Sequence, residues 1–246
     1  IFMNTDGKVG SIVEAGVLPD MVTFTPDGKK ALTANEGQPN ADYSIDPEGS
    51  ISVIDLSKGF ENVLQSDVIN LSFNKFDSQL ASLRASNVRF FGPNATVSKD
   101  IEPEYITVAD NGLTAWVTLQ ENNAIATINL QTNEITTIMP LGLKDHSLPA
   151  NTLDSSDKLG TIFMSNWPVK GMYMPDAIAN YTVNGTTYLV TANEGDARDY
   201  DGLAEEAKVG DVDYVLDPTI FPNAAFLKKE ANLGRLTVTN QTGDTD

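Results

Sequence analysis

The chain has 246 residues, 41% of them hydrophobic, with 34 Asp and Glu against 16 Lys and Arg, a formal net charge of −18 and no cysteine. That charge repels phosphate backbones and anionic membranes, which excludes nucleic acid as a partner class. The lack of cysteine excludes disulfides, zinc–thiolate sites and thiol catalysis.

The hydrophobic content suffices for a buried core, and no apolar run reaches the roughly 18 residues needed to span a membrane. The opening residues Ile1-Phe2-Met3-Asn4 lack the basic start of a signal peptide and begin in mid-pattern, as expected of a trimmed chain. Next, Ser11-Ile12-Val13-Glu14-Ala15 reads as an extended run.

A repeated phrase then begins: a Pro-acid pair, a short apolar strand, a Gly turn, a second strand and an Asn/Gln-Glu corner. Its copies are Pro19-Asp20…Gly28…Asn35-Glu36-Gly37, Pro103-Glu104…Gly112…Gln120-Glu121-Asn122 and Pro175-Asp176…Gly185…Asn193-Glu194-Gly195. In the first copy, period-2 alternation marks strands at Met21-Val22-Thr23-Phe24-Thr25, Lys30-Ala31-Leu32-Thr33-Ala34 and Ser50-Ile51-Ser52-Val53-Ile54-Asp55-Leu56, with a fourth, outer strand within 63–71. The Pro26-Asp27-Gly28 turn joins the first two, because Pro presets φ and Gly tolerates φ > 0. Phe73, Phe76, Leu80 and Leu83 then share one helical face, predicting a short amphipathic helix over 73–86.

The second copy predicts four strands: Tyr105-Ile106-Thr107-Val108-Ala109, Ala115-Trp116-Val117-Thr118-Leu119, Ala124-Ile125-Ala126-Thr127-Ile128-Asn129-Leu130 and Glu134-Ile135-Thr136-Thr137-Ile138-Met139. Trp116 is expected in the core. Residues 141–174, rich in Pro, Gly, Ser and Asp, read as a long structured loop in which Trp167 packs. The third copy predicts Ala177-Ile178-Ala179-Asn180-Tyr181, Tyr188-Leu189-Val190-Thr191-Ala192 and, after an excursion over 195–232 with a helical turn at Leu203-Ala204-Glu205-Glu206-Ala207-Lys208, a third strand at Arg235-Leu236-Thr237-Val238-Thr239.

Stacked units of four short antiparallel strands point to an all-β fold, a β-propeller with about three four-stranded blades over 1–246 as a single domain, with loop and short helical insertions. Three blades do not close a ring, since propellers need about four to eight. The expectation is a partial or open ring completed by remaining blades or another copy, with the run at 11–15 as the outer strand of a preceding blade.

At Ala34-Asn35-Glu36-Gly37-Gln38-Pro39-Asn40, Glu102-Pro103-Glu104-Tyr105-Ile106 and Leu189-Val190-Thr191-Ala192-Asn193-Glu194-Gly195-Asp196-Ala197-Arg198-Asp199-Tyr200-Asp201-Gly202, the sequence resembles the choice-of-anchor I family. Further matching phrases are Phe91-Gly92-Pro93-Asn94-Ala95, Asn166-Trp167-Pro168-Val169-Lys170-Gly171 and Asn232-Leu233-Gly234-Arg235-Leu236, so the likeness runs over nearly the whole chain. The family includes proteins similar to mesenchyme-specific cell-surface glycoproteins and bacterial proteins labelled as atypical alkaline phosphatases. The resemblance implies a secreted or surface-anchored propeller, located extracellularly, in the periplasm or at the cell surface, that usually continues past the equivalent of residue 246. The family name describes attachment and assigns no reaction.

The acidic corners are the candidate chemistry. Hard cations such as calcium take about six to eight oxygens from carboxylates, amides and carbonyls, and Gly lets a loop bend around the ion. Asn35, Glu36, Asp42, Asp46 and Glu48 supply such groups at the first corner, and Asn193, Glu194, Asp196, Asp199 and Asp201 at the third. Arg198 is a candidate anion contact. The middle corner, Gln120-Glu121-Asn122-Asn123, carries no acidic insertion. The competing structural role is capping of strand ends by Asn and Glu.

Phosphatase chemistry needs a metal-bound hydroxide or an activated nucleophile. The single histidine, His146, lacks a second His for a ligand set and is expected as a surface hydrogen-bonding residue. The sequence therefore favours a surface-attached, calcium-binding propeller that presents loops to a surface protein, glycan or mineral. The alternative is a metal-dependent, alkaline phosphatase-like phosphoesterase using the acidic channel, with Glu36, Glu121, Glu194, Asp196 and Arg198.

Overall fold

The computed structural model describes residues 1–243, which form several antiparallel sheets with few helices and no closed barrel. The chain divides into two compact units, one of residues 1–142 with 173–196, the other of 143–172 with 197 onward.

The first unit opens with β1 (Phe2–Met3) and β2 (Val9–Ser11), which pair with each other. The run expected as a strand at 11–15 is mostly not one. Val13 and Phe2 instead pack on a small core of Ala31, Ile54, Leu56 and Val63, so the segment lies over the first sheet rather than pairing in another. Then β3 (Pro19–Phe24), β4 (Lys30–Asn35), β5 (Ser50–Asp55) and β6 (Val68–Ser72) form a four-stranded sheet in chain order. The turn between β3 and β4 is as expected: Gly28 sits at φ 67° and donates to the Thr25 carbonyl at 2.8 Å.

The expected helix over 73–86 is a 3₁₀ segment, Asn74–Gln79, running into α1 (Leu80–Ala85), with Phe73, Phe76 and Leu83 buried. The short α2 (Val97–Asp100) follows, its first turn capped by Thr96, whose hydroxyl accepts from the Lys99 N–H at 3.2 Å. A second four-stranded sheet is built from β7 (Pro103–Val108), β8 (Thr114–Leu119), β9 (Ala124–Asn129) and β10 (Glu134–Pro140). Its first turn repeats the geometry of the first sheet, Gly112 at φ 69° donating to Ala109 at 2.8 Å. Trp116 is only partly buried.

The chain passes through β11 (Leu143–Asp145) and β12 (Lys170–Met172) in the second unit and returns as β13 (Pro175–Val183) and β14 (Thr186–Asn193). These pair as a hairpin around Asn184 and Gly185, both at positive φ, which is the twist a two-residue hairpin turn requires. The three first strands lie side by side in the order β3, β7, β13. Between the first two sheets a continuous core runs through Leu32, Ile51, Phe73, Ile106, Val117 and Ile128.

In the second unit, β15 (Asp199–Tyr200) pairs with β16 (Leu203–Ala204), and β17 (Glu206–Lys208) with β18 (Thr237–Thr239). Two expectations are corrected here. The segment 203–208 is extended rather than helical, because Asp201-Gly202 forms a two-residue hairpin loop. The strand near 235–239 pairs with β17 instead of completing the third sheet. Around α3 (Ala224–Leu227), Trp167, Val209, Leu227 and Leu233 form this unit's core, as expected for Trp167.

Gly49 shows how tightly the corner loop of the first sheet is fitted. A Cβ there would strike the Ile101 carbonyl oxygen and approach Pro103 Cδ to 2.8 Å, whereas one at Gly28 meets nothing within 4 Å. Gly49→Ala is expected to destabilise the chain by more than about 2 kcal/mol, and Gly28→Ala by about 1 kcal/mol through its positive φ alone. Urea unfolding of the two variants checks the order; equal losses would contradict it.

Candidate functional site

The acids of the repeat are positioned by backbone register. Pro19 lies opposite Asn35, Pro103 opposite Leu119 and Pro175 opposite Asn193, and in each copy the register slips just past the proline, at Asp20, at Glu104-Tyr105 and at Asp176. A bulge of this kind leaves a residue outside the ladder and re-aims its side chain.

In copies one and three the residue before the proline is left-handed, Leu18 at φ 52° and Met174 at φ 40°. Bulky residues there cost about 1 kcal/mol or more and persist only where the surroundings over-determine them. What holds them is the corner itself. Glu36 N donates to Leu18 O at 2.9 Å, Gly37 N to Val17 O at 3.1 Å, and Gly195 N to Met174 O at 3.3 Å.

At the middle corner two asparagines tie down neighbouring segments, including the residues before the third copy's proline. Asn123, buried at φ 51°, accepts from the N–H groups of Tyr173 and Met174 at 2.9 and 3.1 Å. Asn122 donates to the carbonyls of Arg89 and Asp100, both at 2.8 Å. Arg89 lies behind the corner over the Phe91 ring and donates to the Glu121 carbonyl at 2.8 Å.

Glu36, Glu104 and Glu121 are all buried. Burial pushes the Glu36 carboxyl up to about 7, helped by the charges of Asp20, Glu121 and Asp196 and opposed by Gln38, which donates to it at 2.8 Å. Glu104 is pushed up to about 10, first by burial and then by Glu121, Glu36, Asp176 and Asp20. The charges acting on both are therefore carboxylates drawn from all three copies.

Gln120 faces Glu104. With its amide turned so that Nε2 points at the carboxyl, it donates to both oxygens at 2.7 and 2.8 Å. The opposite orientation would set oxygen against oxygen and reach Glu194 only at 3.4 Å, so the first is preferred. Among the described residues, no group of three or more His, Cys, Asp or Glu side chains is placed to hold a metal ion.

The sequence-nominated residues divide. Glu36 and Asp196 belong to this acidic cluster. Asn35 is fully buried and committed to the sheet, accepting from Thr33 at 2.8 Å and donating to Ser52 at 2.9 Å. Asn193 accepts from Thr191 at 2.9 Å and is exposed, as is Glu194. Asp42 closes a turn on Ser44, whose hydroxyl and N–H hold its carboxyl below the usual range. Asp46 lies 4.0 Å from the Lys99 ammonium, and Glu48 accepts from Asn74 at 2.9 Å, both fastening the corner loop to neighbouring helical turns.

Asp199 and Asp201 are exposed in the second unit. There Arg198 is 2% exposed, its N–H donating to the Glu205 carboxylate at 3.1 Å while its carbonyl accepts from Glu205 N at 2.9 Å. His146 is buried rather than on the surface, and its Nδ1–H donates to the Asn151 carbonyl at 2.8 Å.

Residues 2–246 match the choice-of-anchor I domain. The chain belongs to that family. Its members are extracellular, surface-associated proteins, and no helix among the described residues is long and apolar enough to cross a membrane. No curated protein sequence matches. Among solved structures, the chain is similar to Kuenenia stuttgartiensis hydrazine synthase, at 13% identity over 73% of this chain and 47% of that one, with a TM-score of 0.30. It is likewise similar to the structure of U3-55K, at 12% identity over 73% and 47%, with a TM-score of 0.33. The choice-of-anchor I chain thus spans about half the length of these structures, and scores this low carry no conclusion about its function.

The raised carboxyls set a pH dependence. A carboxyl whose folded pKa exceeds its unfolded value keeps more protons when folded, so stability falls as pH rises between the two. Without added metal, stability is expected to decline from about pH 5 upward, with Glu36 contributing on the order of 1–3 kcal/mol by pH 8 and Glu104 continuing the decline beyond it. Glu104→Gln is expected to flatten the profile. Thermal unfolding in chelator across pH 5–9 checks this; stability rising with pH would contradict it.

Proposed function

We propose that the chain is a surface-displayed β-propeller-type module, its sheets being blades of a larger ring, that takes up a divalent cation at the acidic cluster around Glu36, Glu104 and Glu121, whose carboxyls draw together around the ion, and presents its loops to a surface protein, glycan or mineral. The observation that carries this reading is the pair of buried carboxyls, Glu36 and Glu104, pushed up first by burial and then by neighbouring carboxylates. Protons or a bound cation would relieve the repulsion in such a cluster. An all-oxygen donor set suits a hard ion, and calcium, with its tolerance of irregular geometry and mixed carboxylate, carbonyl and water ligands, suits it best. Asp20, Asp176, Asp196 and Glu194 would lie at the rim, attracting the ion.

The phosphoesterase alternative would use the same carboxylates and needs a further cationic group for the phosphate. Arg198, nominated for it, is buried against Glu205, which favours the binding reading.

At pH 8, calcium at about a hundred times its dissociation constant should add about 2.7 kcal/mol, raising the midpoint by roughly 5–10 °C over chelator. Glu36→Gln and Glu104→Gln should raise stability in chelator and lose most of the calcium increment. No hydrolysis of p-nitrophenyl phosphate is expected with or without calcium. An unchanged midpoint would overturn the cation reading, and turnover abolished by Glu104→Gln would replace it with the phosphoesterase.

A further inference from the structure

Asn-Gly occurs twice in the chain, at Asn111-Gly112 and at Asn184-Gly185. Glycine has no Cβ to screen its main-chain nitrogen, so in this dipeptide that nitrogen can reach the amide carbon of the preceding side chain. Both asparagines are exposed, both glycines are at positive φ, and both pairs lie between the first and second strands of a repeat. Their hydrogen bonds differ. In the middle copy Asn111 Oδ1 accepts from Leu113 N at 2.9 Å, and Gly112 N donates to the Ala109 carbonyl at 2.8 Å, so both reacting groups are held. In the third copy the ladder closes with Val183 opposite Thr186, which leaves Asn184 and Gly185 as the whole loop, at φ 51° and 77°. Among the described residues, no hydrogen bond engages the Asn184 amide or the Gly185 N–H.

We propose that Asn184 is a site of self-modification in the folded chain, deamidating through a succinimide to aspartate and isoaspartate, while the turn around Asn111 protects the other Asn-Gly pair. The Gly185 nitrogen gives its proton to solvent and bonds to Asn184 Cγ; the Cγ–Nδ2 bond breaks and ammonia leaves, closing the ring. Water then opens it. Breaking the new N–Cγ bond gives aspartate, and breaking the bond from that nitrogen to the Asn184 main-chain carbonyl carbon gives isoaspartate. The reaction is a hydrolysis and needs no partner but water. At Asn111 the same attack first requires loss of the Gly112 and Leu113 hydrogen bonds, which slows it. Either product adds a carboxylate at the tip of the β13–β14 hairpin, and isoaspartate also lengthens the loop by a main-chain atom. Because loop length sets hairpin register, the pairing of Val183 with Thr186 loosens with it. The site is independent of the cation reading, since neither residue belongs to the acidic cluster.

The test is incubation of the full chain at pH 8, folded and in parallel unfolded in urea, with peptide mass spectrometry following both Asn-Gly pairs and enzymatic methylation counting isoaspartate. In the folded chain Asn184 is expected to convert about tenfold or more faster than Asn111, the factor that two engaged hydrogen bonds add to a barrier. In urea the two should convert at matching rates, because the turn that protects Asn111 is gone. Asn184→Gly, which suits the positive φ of the loop, should remove most of the isoaspartate formed by the folded chain. Far-UV circular dichroism confirms that this variant is folded, and Asn184→Asp replaces it in the mass measurement if it is not. Equal rates in the folded chain, faster conversion at Asn111, or a preference for Asn184 that persists undiminished in urea would overturn the proposal.

Discussion

The site depends on the pairing of each repeat's first strand with its second, in a register that slips just past the opening proline. In the first and third copies main-chain hydrogen bonds run from the corner to the residues before the proline, and in the middle copy the Asn122 side chain accepts from Glu102 N. The slip takes one acid per copy out of the ladder and leaves it near the corner Glu of its own or a neighbouring copy. Because the three first strands lie side by side, three local irregularities converge on one place. Strain at Leu18 and Met174 is tolerated because the corner bonds over-determine it.

That convergence separates two kinds of acid in a chain that is acidic throughout. Asp42, Asp55, Asp67 and Asp145 accept hydrogen bonds from nearby hydroxyl, amide or ammonium groups, which hold their carboxyls low and fasten turns. Glu36 and Glu104 are held high by burial and like charge. The first kind is structural at any pH above the carboxylate range. The second makes the folded state hold protons that a free carboxylate would release, and so links its stability to pH.

Much of this was legible in the sequence. Period-2 runs and Gly turns located both four-stranded sheets and the third hairpin, and the spacing of Phe73, Phe76, Leu80 and Leu83 located the helical segment. What failed was pairing over distance. The run at 235–239 has strand character in any partner's company, and only the fold selects Glu206–Lys208 for it. The acidic cluster is hidden from the sequence for the same reason. Asp42, Asp46 and Glu48 follow Glu36 in the chain, whereas the charges that act on it include Glu121 and Asp196, far away in sequence, and Asp176 acts on Glu104. The repeat contained the signal: its Pro-acid pairs were read as strand openers, and a bulge at the acid has no signature in residue type.

The most direct measurement is a high-resolution crystal structure of the chain grown with calcium at pH 8. The account predicts one strong peak with carboxylate oxygens of Glu36, Glu104 and Glu121 at about 2.4 Å and further oxygens completing a sphere of six to eight. A peak bound instead by Asp42, Asp46 and Glu48 or by Asp199 and Asp201, or an acidic cluster unchanged by calcium, would contradict it.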